Sequence, residues 1–461
     1  MEVETHQSVG SRSAGFDAGD RLALALRILA APRRYIRPWY VAYLLLGVVD
    51  AGLLPMLLPL TVEARSHSLA TVAYVMGAYN FGLLASPLWG MLAERLNAYR
   101  NLFLAGFLIT AAGIIGMVLL KELPSWLVSA IALGAGSGGV ATLATLFIVD
   151  FTDRVEWEAR LGWLQSFNAS GQVVGLMLAA AFAGVDNSVA LWVCVALLLL
   201  AMTVGGVGLP LSQWARPVAP AGQPTLHLHL NIRALALAPN LSLPSGVGLH
   251  FLHLNFPGLR NLCQAVRTPF GRFMLSWFVL ALAVAAFFSF FPLLLAESYD
   301  ISPRTTAMIY AVTSAVGIAV YLSTSHLTAR YGAARIYRYG LALRIMGFGL
   351  LLVPFLISLE SRFLFGTAGF ALIVLTWPLL SVSGTDLAAR LTPFSEGAAM
   401  GLLNASLALA TALGIACSGP LVANWGYKTI PSTALAGLAA ALLLGSDKRN
   451  QSRGPSEARL P

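Results

Sequence analysis

The sequence contains twelve apolar stretches, each close to the length that an α-helix needs to cross a lipid bilayer. A spanning helix takes about 20 mostly apolar residues. Only 11% of the residues are charged, against about 25% in soluble domains, so most of the chain must face lipid or itself. The pattern predicts an all-α membrane protein with twelve transmembrane helices. The stretches are 39–60, 69–92, 101–120, 125–149, 161–183, 189–209, 271–296, 304–325, 338–358, 363–385, 397–421 and 429–445.

The positive charges indicate the orientation in the membrane. With both termini placed in the cytoplasm, the outer loops contain only Arg65, Lys121, Arg304, Arg362 and Lys428, and the other loop and tail cations fall inside. Cytoplasmic loops of membrane proteins are enriched in this way. Because the basic residues lie between apolar stretches and not on one face, the net charge of +9 does not indicate a nucleic-acid partner. We expect a multi-pass protein of the plasma or inner membrane with both termini in the cytoplasm.

One long interruption divides the apolar stretches into six and six. It is rich in proline and lacks a spanning stretch. The predicted organisation is a cytoplasmic tail at 1–38, a six-helix bundle at 39–209, a cytoplasmic linker at 210–270, a second six-helix bundle at 271–445 and a cytoplasmic tail at 446–461.

The two halves contain matching residues at a nearly constant offset. The charged stretch Gly90–Arg100 is repeated more weakly by Leu327–Arg335. The matching pairs are Leu92 and Leu327, Arg95 and Arg330, Arg100 and Arg335, Asp150 and Asp386, Arg154 and Arg390, and Gln165 and Asn404. Repeated six-helix halves are typical of secondary transporters, whose substrate site lies between the halves near the bilayer midplane.

The stretch Gly90–Arg100 resembles the signature loop of the major facilitator superfamily, glycine-x-leucine-alanine-acid-arginine followed by a later basic residue. The resemblance covers nearly the whole chain and implies two pseudo-twofold-related six-helix bundles. In that family the loop locks the cytoplasmic faces of the halves together when the protein is open outward. This implies a cytoplasmic gate, to which the first copy contributes most charge because the second has Ala329 at the acidic position. The first copy supplies Gly90, Glu94, Arg95 and Arg100, and the second Arg330 and Arg335.

Two acid–arginine pairs stand at the predicted cytoplasmic helix ends. Asp150 is followed by Arg154, and Asp386 by Arg390. They form either a charge latch between the halves, and so part of the gate, or ordinary solvated pairs.

Asp50 is the strongest candidate for chemistry, because it lies in the middle of the first predicted span. A carboxylate at the centre of a spanning helix costs roughly 2.5–3.5 kcal/mol on insertion scales, and such residues usually face a cavity or a partner. We interpret Asp50 as a proton carrier. The alternative is a packing role, with a hydrogen bond to Asn80 or another polar neighbour.

Further candidates for the substrate site are four amides and one indole. The amides either bind substrate or join helices by hydrogen bonds. Trp377, with the cluster Phe287–Phe291, either forms an aromatic cavity wall or packs against other helices. The amides are Asn80, Gln165, Asn168 and Asn404. By contrast, we expect Arg344, about six residues inside the ninth span, to extend to the cytoplasmic headgroups.

The resulting hypothesis is a monomeric secondary transporter that moves a small apolar or amphipathic molecule by alternating access, driven by protons through Asp50. Export is favoured because the first half resembles the multidrug exporters of that family and the cavity-facing spans contain almost no charge. Gly171–Gly175 also resembles the glycine-rich antiporter segment of the family but lacks its glycine-proline pair. The alternatives are proton-coupled uptake, a transport-inactive sensor or assembly factor, and an enzyme embedded in the bilayer. We expect no enzyme activity, cofactor or metal, because the linker histidines lack nearby cysteines or acids and the chain has no ATP-binding loop.

Overall fold

The computed structural model describes residues 36–96, 98–149, 151–152, 157–209, 268–357, 361–393 and 396–445, which fold into helices with no strand among them. We number the helices α1 to α12 in chain order; α2 and α10 are each interrupted once. They are α1 Tyr40–Ser66, α2 Leu69–Leu83 with Ser86–Leu96, α3 Tyr99–Leu119, α4 Leu123–Val149, α5 Trp157–Phe182, α6 Asn187–Gly208, α7 Pro269–Tyr299, α8 Pro303–Tyr331, α9 Ala333–Leu356, α10 Arg362–Leu375 with Trp377–Leu391, α11 Glu396–Trp425 and α12 Thr429–Leu444.

These helices correspond in order to the twelve predicted apolar stretches. Nine of those in the described ranges are long and apolar enough to cross a membrane, and the others are α5, α8 and the 16-residue α12. The lower hydropathy of α5 and α8 has a structural reason, since the two pack against each other inside the molecule and need not face lipid on all sides. The predicted fold class is confirmed. The N-terminal tail as far as residue 35, the linker as far as residue 267 and the C-terminal tail from residue 446 lie outside the described residues.

The two halves pack their helices in the same way. In the first half α1 packs on α5 and α6, α4 packs on α2 and α3, and α3 also packs on α6. Adding six to each number gives the contacts of the second half: α7 with α11 and α12, α10 with α8 and α9, and α9 with α12. The contacts between the halves are also related in this way: α2 of the first half packs on α11 of the second, and the equivalent helices α8 and α5 pack on each other. This repetition is what a near-twofold relation between two bundles requires.

Helix α1 is irregular around its acid. The segment Gly47–Leu53, which contains Asp50, is a π-helix, and such wide turns often occur at functional positions. Beside it α1 meets α5 through glycines, so closely that a Cβ on Gly52 would lie 2.6 Å from the Cα of Gly175. The absence of side chains at these positions lets the two backbones touch and holds the π-helical turn against α5.

The halves meet at one end of the molecule, where α1 and α7 finish and α2 and α8 begin. A Cβ on Gly419 of α11 would lie 2.5 Å from the Cβ of Ala73 on α2. On the other side Gln172 Nε2 of α5 donates to the hydroxyl of Tyr310 on α8 at 3.4 Å. The second part of α1 also packs on α7. We call this the closed end.

A tyrosine in the loop after α11 lies at the closed end. Its hydroxyl donates to Glu297 Oε1 at the end of α7 at 3.1 Å. Burial raises the pKa of Tyr427 above its usual value, and the carboxylates of Glu297 and, from the first half, Glu63 raise it further. The phenol therefore stays neutral and remains a hydrogen-bond donor between acids from both halves.

Candidate functional site

A central cavity of about 880 Å³ lies between the two halves. Seven helices line it: α1, α2 and α5 from the first half, and α7, α8, α10 and α11 from the second. Its volume falls within the range of small-molecule sites, about 300–1,000 Å³, and its mainly apolar lining with few polar groups is typical of them.

Asp50 forms part of the cavity wall. The π-helical turn of α1 presents its carboxylate to α2, where the hydroxyl of Tyr79 donates to Asp50 Oδ1 at 2.7 Å. The side chain of Ser137 on α4 also interacts with both groups. The acid therefore faces a cavity and not lipid, and it has a specific hydrogen-bond donor.

Of the hydrogen-bond partners that the sequence allowed for Asp50, Asn80 or another polar neighbour, the structure shows another neighbour, Tyr79. Asn80 donates through Nδ2 to the carbonyl of Met76 in its own helix at 2.9 Å, and the adjacent Tyr79 reaches the acid. Sequence reasoning missed Tyr79, although a tyrosine inside a predicted span is itself a signal, because a buried phenol usually finds a hydrogen-bond partner.

The structure places all the predicted substrate-site residues on the wall of one cavity. Gln165 and Asn168 follow one another along α5, and Asn404 lies on α11 opposite them. Trp377 begins the second part of α10, directly after the interruption at Thr376. Their roles in binding remain predictions. The residues are Asp50, Asn80, Gln165, Asn168, Trp377 and Asn404.

Comparison with known proteins identifies the family. The model of the Major Facilitator Superfamily matches residues 39–393. The chain belongs to this superfamily. No curated protein sequence matches this facilitator chain.

Solved structures with the same fold are transporters of different substrates. The nucleoside transporter NupG is 13% identical, with a TM-score of 0.66 over 88% of this chain and 96% of NupG. The peptide transporter PepTSo of the POT family is 14% identical, with a TM-score of 0.64 over 88% of this chain and 95% of its own. A bacterial homologue of the iron transporter ferroportin, in an inward-facing state, is 14% identical, with a TM-score of 0.61 over 91% and 98%. At these identities the likeness shows the fold alone.

Those predicted gate residues of this facilitator that the structure describes lie at the end opposite the closed end. Arg100 Nη2 donates to the carbonyl of Gly206 within the first half at 2.8 Å. The guanidinium of Arg330 lies 5.3 Å from the ring of the adjacent Tyr331. Arg95 and Arg335 are exposed, and Gly90 lies in the second part of α2. Asp150, Arg154 and the side chain of Glu94 lie outside the described part of the chain.

The pair at the end of α10 is formed within one helix. Arg390 Nε lies 2.9 Å from Asp386 Oδ1, and the arginine side chain is 65% exposed. In the observed conformation the pair therefore does not join the two halves, although Asp386 is only 24% exposed and its Oδ2 is buried without a hydrogen-bond partner. A gate that closes the opposite end would engage when the present closed end opens, and its role remains a prediction.

The expectation for Arg344 is wrong. Its side chain has an exposure of 0%, so it does not extend to the membrane surface. Arg344 Nη2 donates to the carbonyl of Ile373 on α10 at 3.1 Å. The guanidinium carbon lies 5.8 Å from the ring centre of Phe288 and 5.6 Å from that of Trp377. This side of α9 faces the bundle, a fact that the depth of the residue within its span could not indicate.

The phenylalanine cluster is divided between two roles. Phe288 and Phe291 line the cavity. Phe287 packs instead against Phe348 and Phe370, with ring centres 5.1 and 6.0 Å away. Both alternatives drawn from the sequence are therefore present, each for different members of the cluster.

Proposed function

We propose that this facilitator is a secondary active transporter that moves a small organic molecule by alternating access, with Asp50 as the group that couples transport to protons. The observation that carries the proposal is the hydrogen bond between Tyr79 and Asp50 on the wall of the cavity between the halves. Protons can reach a carboxylate on this wall from either side of the membrane, depending on the side to which the cavity opens. A proton carrier requires such access from both sides.

The contacts of α1 give the protonation of Asp50 a route to the rest of the molecule. The π-helical turn of α1 that contains Asp50 is held against α5 by the glycine contacts. Helix α5 in turn packs on α8 of the other half. Protonation removes a charge and changes the bond to Tyr79 at this point. The fit between α1 and α5, and with it the contact between the halves, would then differ between the two charge states.

The proposed direction is export, across the plasma or inner membrane, with both termini in the cytoplasm. This orientation, supported by the distribution of arginine and lysine, puts the closed end outside and the predicted gate inside. The observed conformation is then the one that would accept a molecule from the cytoplasm.

Transport by purified protein in liposomes tests the proposal. The liposomes contain the pH indicator pyranine and receive ethidium, benzoate or benzamide under imposed pH gradients of either sign. We expect wild-type protein to couple the movement of at least one of these compounds to protons, and Asp50→Asn to lose this coupling because it cannot ionise.

Asp186→Asn is the matched control, because Asp186 caps α6 at an exposed position and an asparagine can cap in its place. Retained coupling in Asp50→Asn would remove the proposed role of Asp50. If a compound accumulates only when it enters the liposomes in the same direction as the protons, the result would favour uptake over export. No flux of any compound above that in protein-free liposomes, which benzamide and protonated benzoic acid enter unaided, would favour the sensor.

A further inference from the structure

A buried cation lies close to the cavity without a negative partner on the described chain. Arg344 has one hydrogen bond, from Nη2 to Ile373, and its Nε and Nη1 have no acceptor. Among the described residues its electrostatic neighbours are the phenols of Tyr321 and Tyr337, and no carboxylate. Arginine remains charged in proteins, and buried charges are normally paired. An unpaired guanidinium at this depth calls for a partner from outside the described chain.

The position of Arg344 relates it to the cavity. It lies on α9, and the rings of Phe288 and Trp377 that its guanidinium contacts both line the cavity. Tyr321 also lines the cavity. Only side chains of the wall therefore separate Arg344 from the space where a molecule would bind.

One of these separating side chains stands at a break in its helix. The α-helix of α10 ends at Leu375 and resumes at Trp377. The carbonyl of Ile373, in the last turn before the break, accepts hydrogen bonds from Arg344 and from the hydroxyl of Thr376 at 2.7 Å. Rotation of the Trp377 side chain away from Arg344 would bring the guanidinium into contact with the cavity.

Other groups on the wall are also donors without acceptors. The indole N–H groups of Trp163 and Trp277 are buried and have no hydrogen-bond partner. Both residues line the cavity, from opposite halves. A buried donor without an acceptor is costly, and a ligand that brings an acceptor removes this cost. The wall is therefore suited to a molecule rich in acceptors.

We propose that the transported molecule carries an anionic group, a carboxylate or a similar oxyanion. This group binds at the part of the cavity wall formed by Tyr321 and Trp377, with Arg344 as its positive partner. The proposal rests on the proposed function, because it takes the cavity as the cargo site. It narrows the cargo from an apolar or amphipathic molecule to an amphipathic anion. The indole N–H groups of Trp163 and Trp277 would donate to acceptor atoms of the same molecule.

Arg344 could also serve only to hold the interrupted helix through Ile373. Binding an anion and holding the helix predict different results when Arg344 is replaced by a neutral side chain that can still donate a hydrogen bond. Arg344→Gln removes the charge and keeps an N–H donor, whereas Arg344→Lys keeps the charge and loses the planar fork. A purely structural role would affect anionic and neutral ligands alike.

Equilibrium binding to the purified full chain in a non-ionic detergent tests the proposal. Calorimetry at pH 7 compares benzoate with benzamide, and 2-naphthoate with 2-naphthamide, pairs that match in shape and differ in charge. We expect wild-type protein to bind at least one anion about tenfold or more tightly than its amide, the effect of one charged hydrogen bond. We expect Arg344→Gln to lose this preference with unchanged amide affinity, and Arg344→Lys to keep part of it.

Arg362→Gln is the matched control, since it removes an exposed cation from the start of α10, and it should keep the preference. No preference for either anion in wild-type protein, or equal weakening of both members of a pair in Arg344→Gln, would overturn the proposal. A lipid could also occupy the site. If dioctanoyl phosphatidylglycerol displaces benzoate at a lower concentration than benzoate itself requires, and neither benzamide nor dioctanoyl phosphatidylcholine does so, the site binds a lipid headgroup. This result would also overturn the proposal. Binding requires no transport, so failure here is distinct from failure of the flux test on Asp50.

Discussion

Two ionisable side chains near the cavity have opposite surroundings. Asp50 has a phenol that donates to it at 2.7 Å, whereas two of the guanidinium nitrogens of Arg344 have no acceptor. Asp50 therefore has a hydrogen-bond donor without any ligand. The surroundings of Arg344 are incomplete until a ligand supplies an acceptor. The two residues therefore suit different tasks, coupling for Asp50 and recognition for Arg344.

Replacing Tyr79 by phenylalanine tests the donor of Asp50. A hydrogen bond to a charged group contributes about 1.5–3 kcal/mol, so we expect Tyr79→Phe to lower the proton-driven transport rate roughly tenfold while the protein still folds. The initial rate in liposomes with an imposed pH gradient measures this. Tyr74→Phe, at a 45% exposed position on the same helix, should have little effect.

The effect of Tyr79→Phe should depend on Asp50. In Asp50→Asn protein the bond to a carboxylate no longer exists, so adding Tyr79→Phe should change the remaining transport little. Equal losses with and without the acid would show that Tyr79 acts on something other than Asp50.

At the scale of helices, the contact between α1 and α5 determines how the acid is held. Glycines on both helices let the backbones touch, and the π-helical segment Gly47–Leu53 lies at this contact. Polar side chains on α5 and α8 explain why these two helices are less apolar than their neighbours, since residues such as Gln172 and Tyr310 bond across the interior. Helix–helix contact here depends on small residues and a few hydrogen bonds, as in other membrane bundles.

The α1–α5 contact predicts that Gly52→Ala is destabilising. Its Cβ would lie 2.6 Å from the Cα of Gly175, a backbone atom that cannot move aside alone. Overpacking of this kind costs about 1–3 kcal/mol, measurable as the free energy of unfolding in a denaturing detergent. Gly349→Ala adds the same methyl group on α9, where nothing lies within 4 Å, and should leave stability equal or higher. Equal stability of both variants would contradict tight contact at Gly52.

At the scale of the whole molecule, the two halves are joined at the closed end and separated around the cavity. Contacts between α2 and α11 and between α5 and α8 are related by the approximate twofold symmetry. The bond from Tyr427 to Glu297, near Glu63 of the first half, lies at the same end. Alternating access requires these contacts to separate when the opposite end closes.

A bulky side chain between α2 and α11 should force the closed end open. We expect Gly419→Trp to do so, because even a Cβ there would lie 2.5 Å from the Cβ of Ala73. The measurement uses protein whose native cysteines are replaced by serine and which carries Thr411→Cys on the cavity wall. This cysteine should react faster with a membrane-impermeant maleimide, applied to the outside of cells, when Gly419→Trp is present than when it is absent. Gly349→Trp, where a Cβ meets nothing within 4 Å, should leave the rate unchanged, and an unchanged rate in Gly419→Trp would contradict closure at this seam.

The sequence by itself determined the number and order of the helices and the repetition of the halves, and it singled out Asp50 as an acid inside a span. Hydropathy reports transfer into lipid, which depends on composition along the chain. It marked helix ends less well: α1 continues to Ser66 and α8 to Tyr331, because a helix does not stop where the apolar region does.

The tertiary structure decided which faces of those helices meet. The choice of Tyr79 over Asn80 as the partner of Asp50, the burial of Arg344 and the closure at one end all depend on the rotation of each helix about its axis. A long apolar helix carries little sign of that rotation in its sequence, because lipid and a protein interior accept the same side chains. Only packing against specific neighbours distinguishes an arginine that reaches the headgroups from one enclosed beside the cavity.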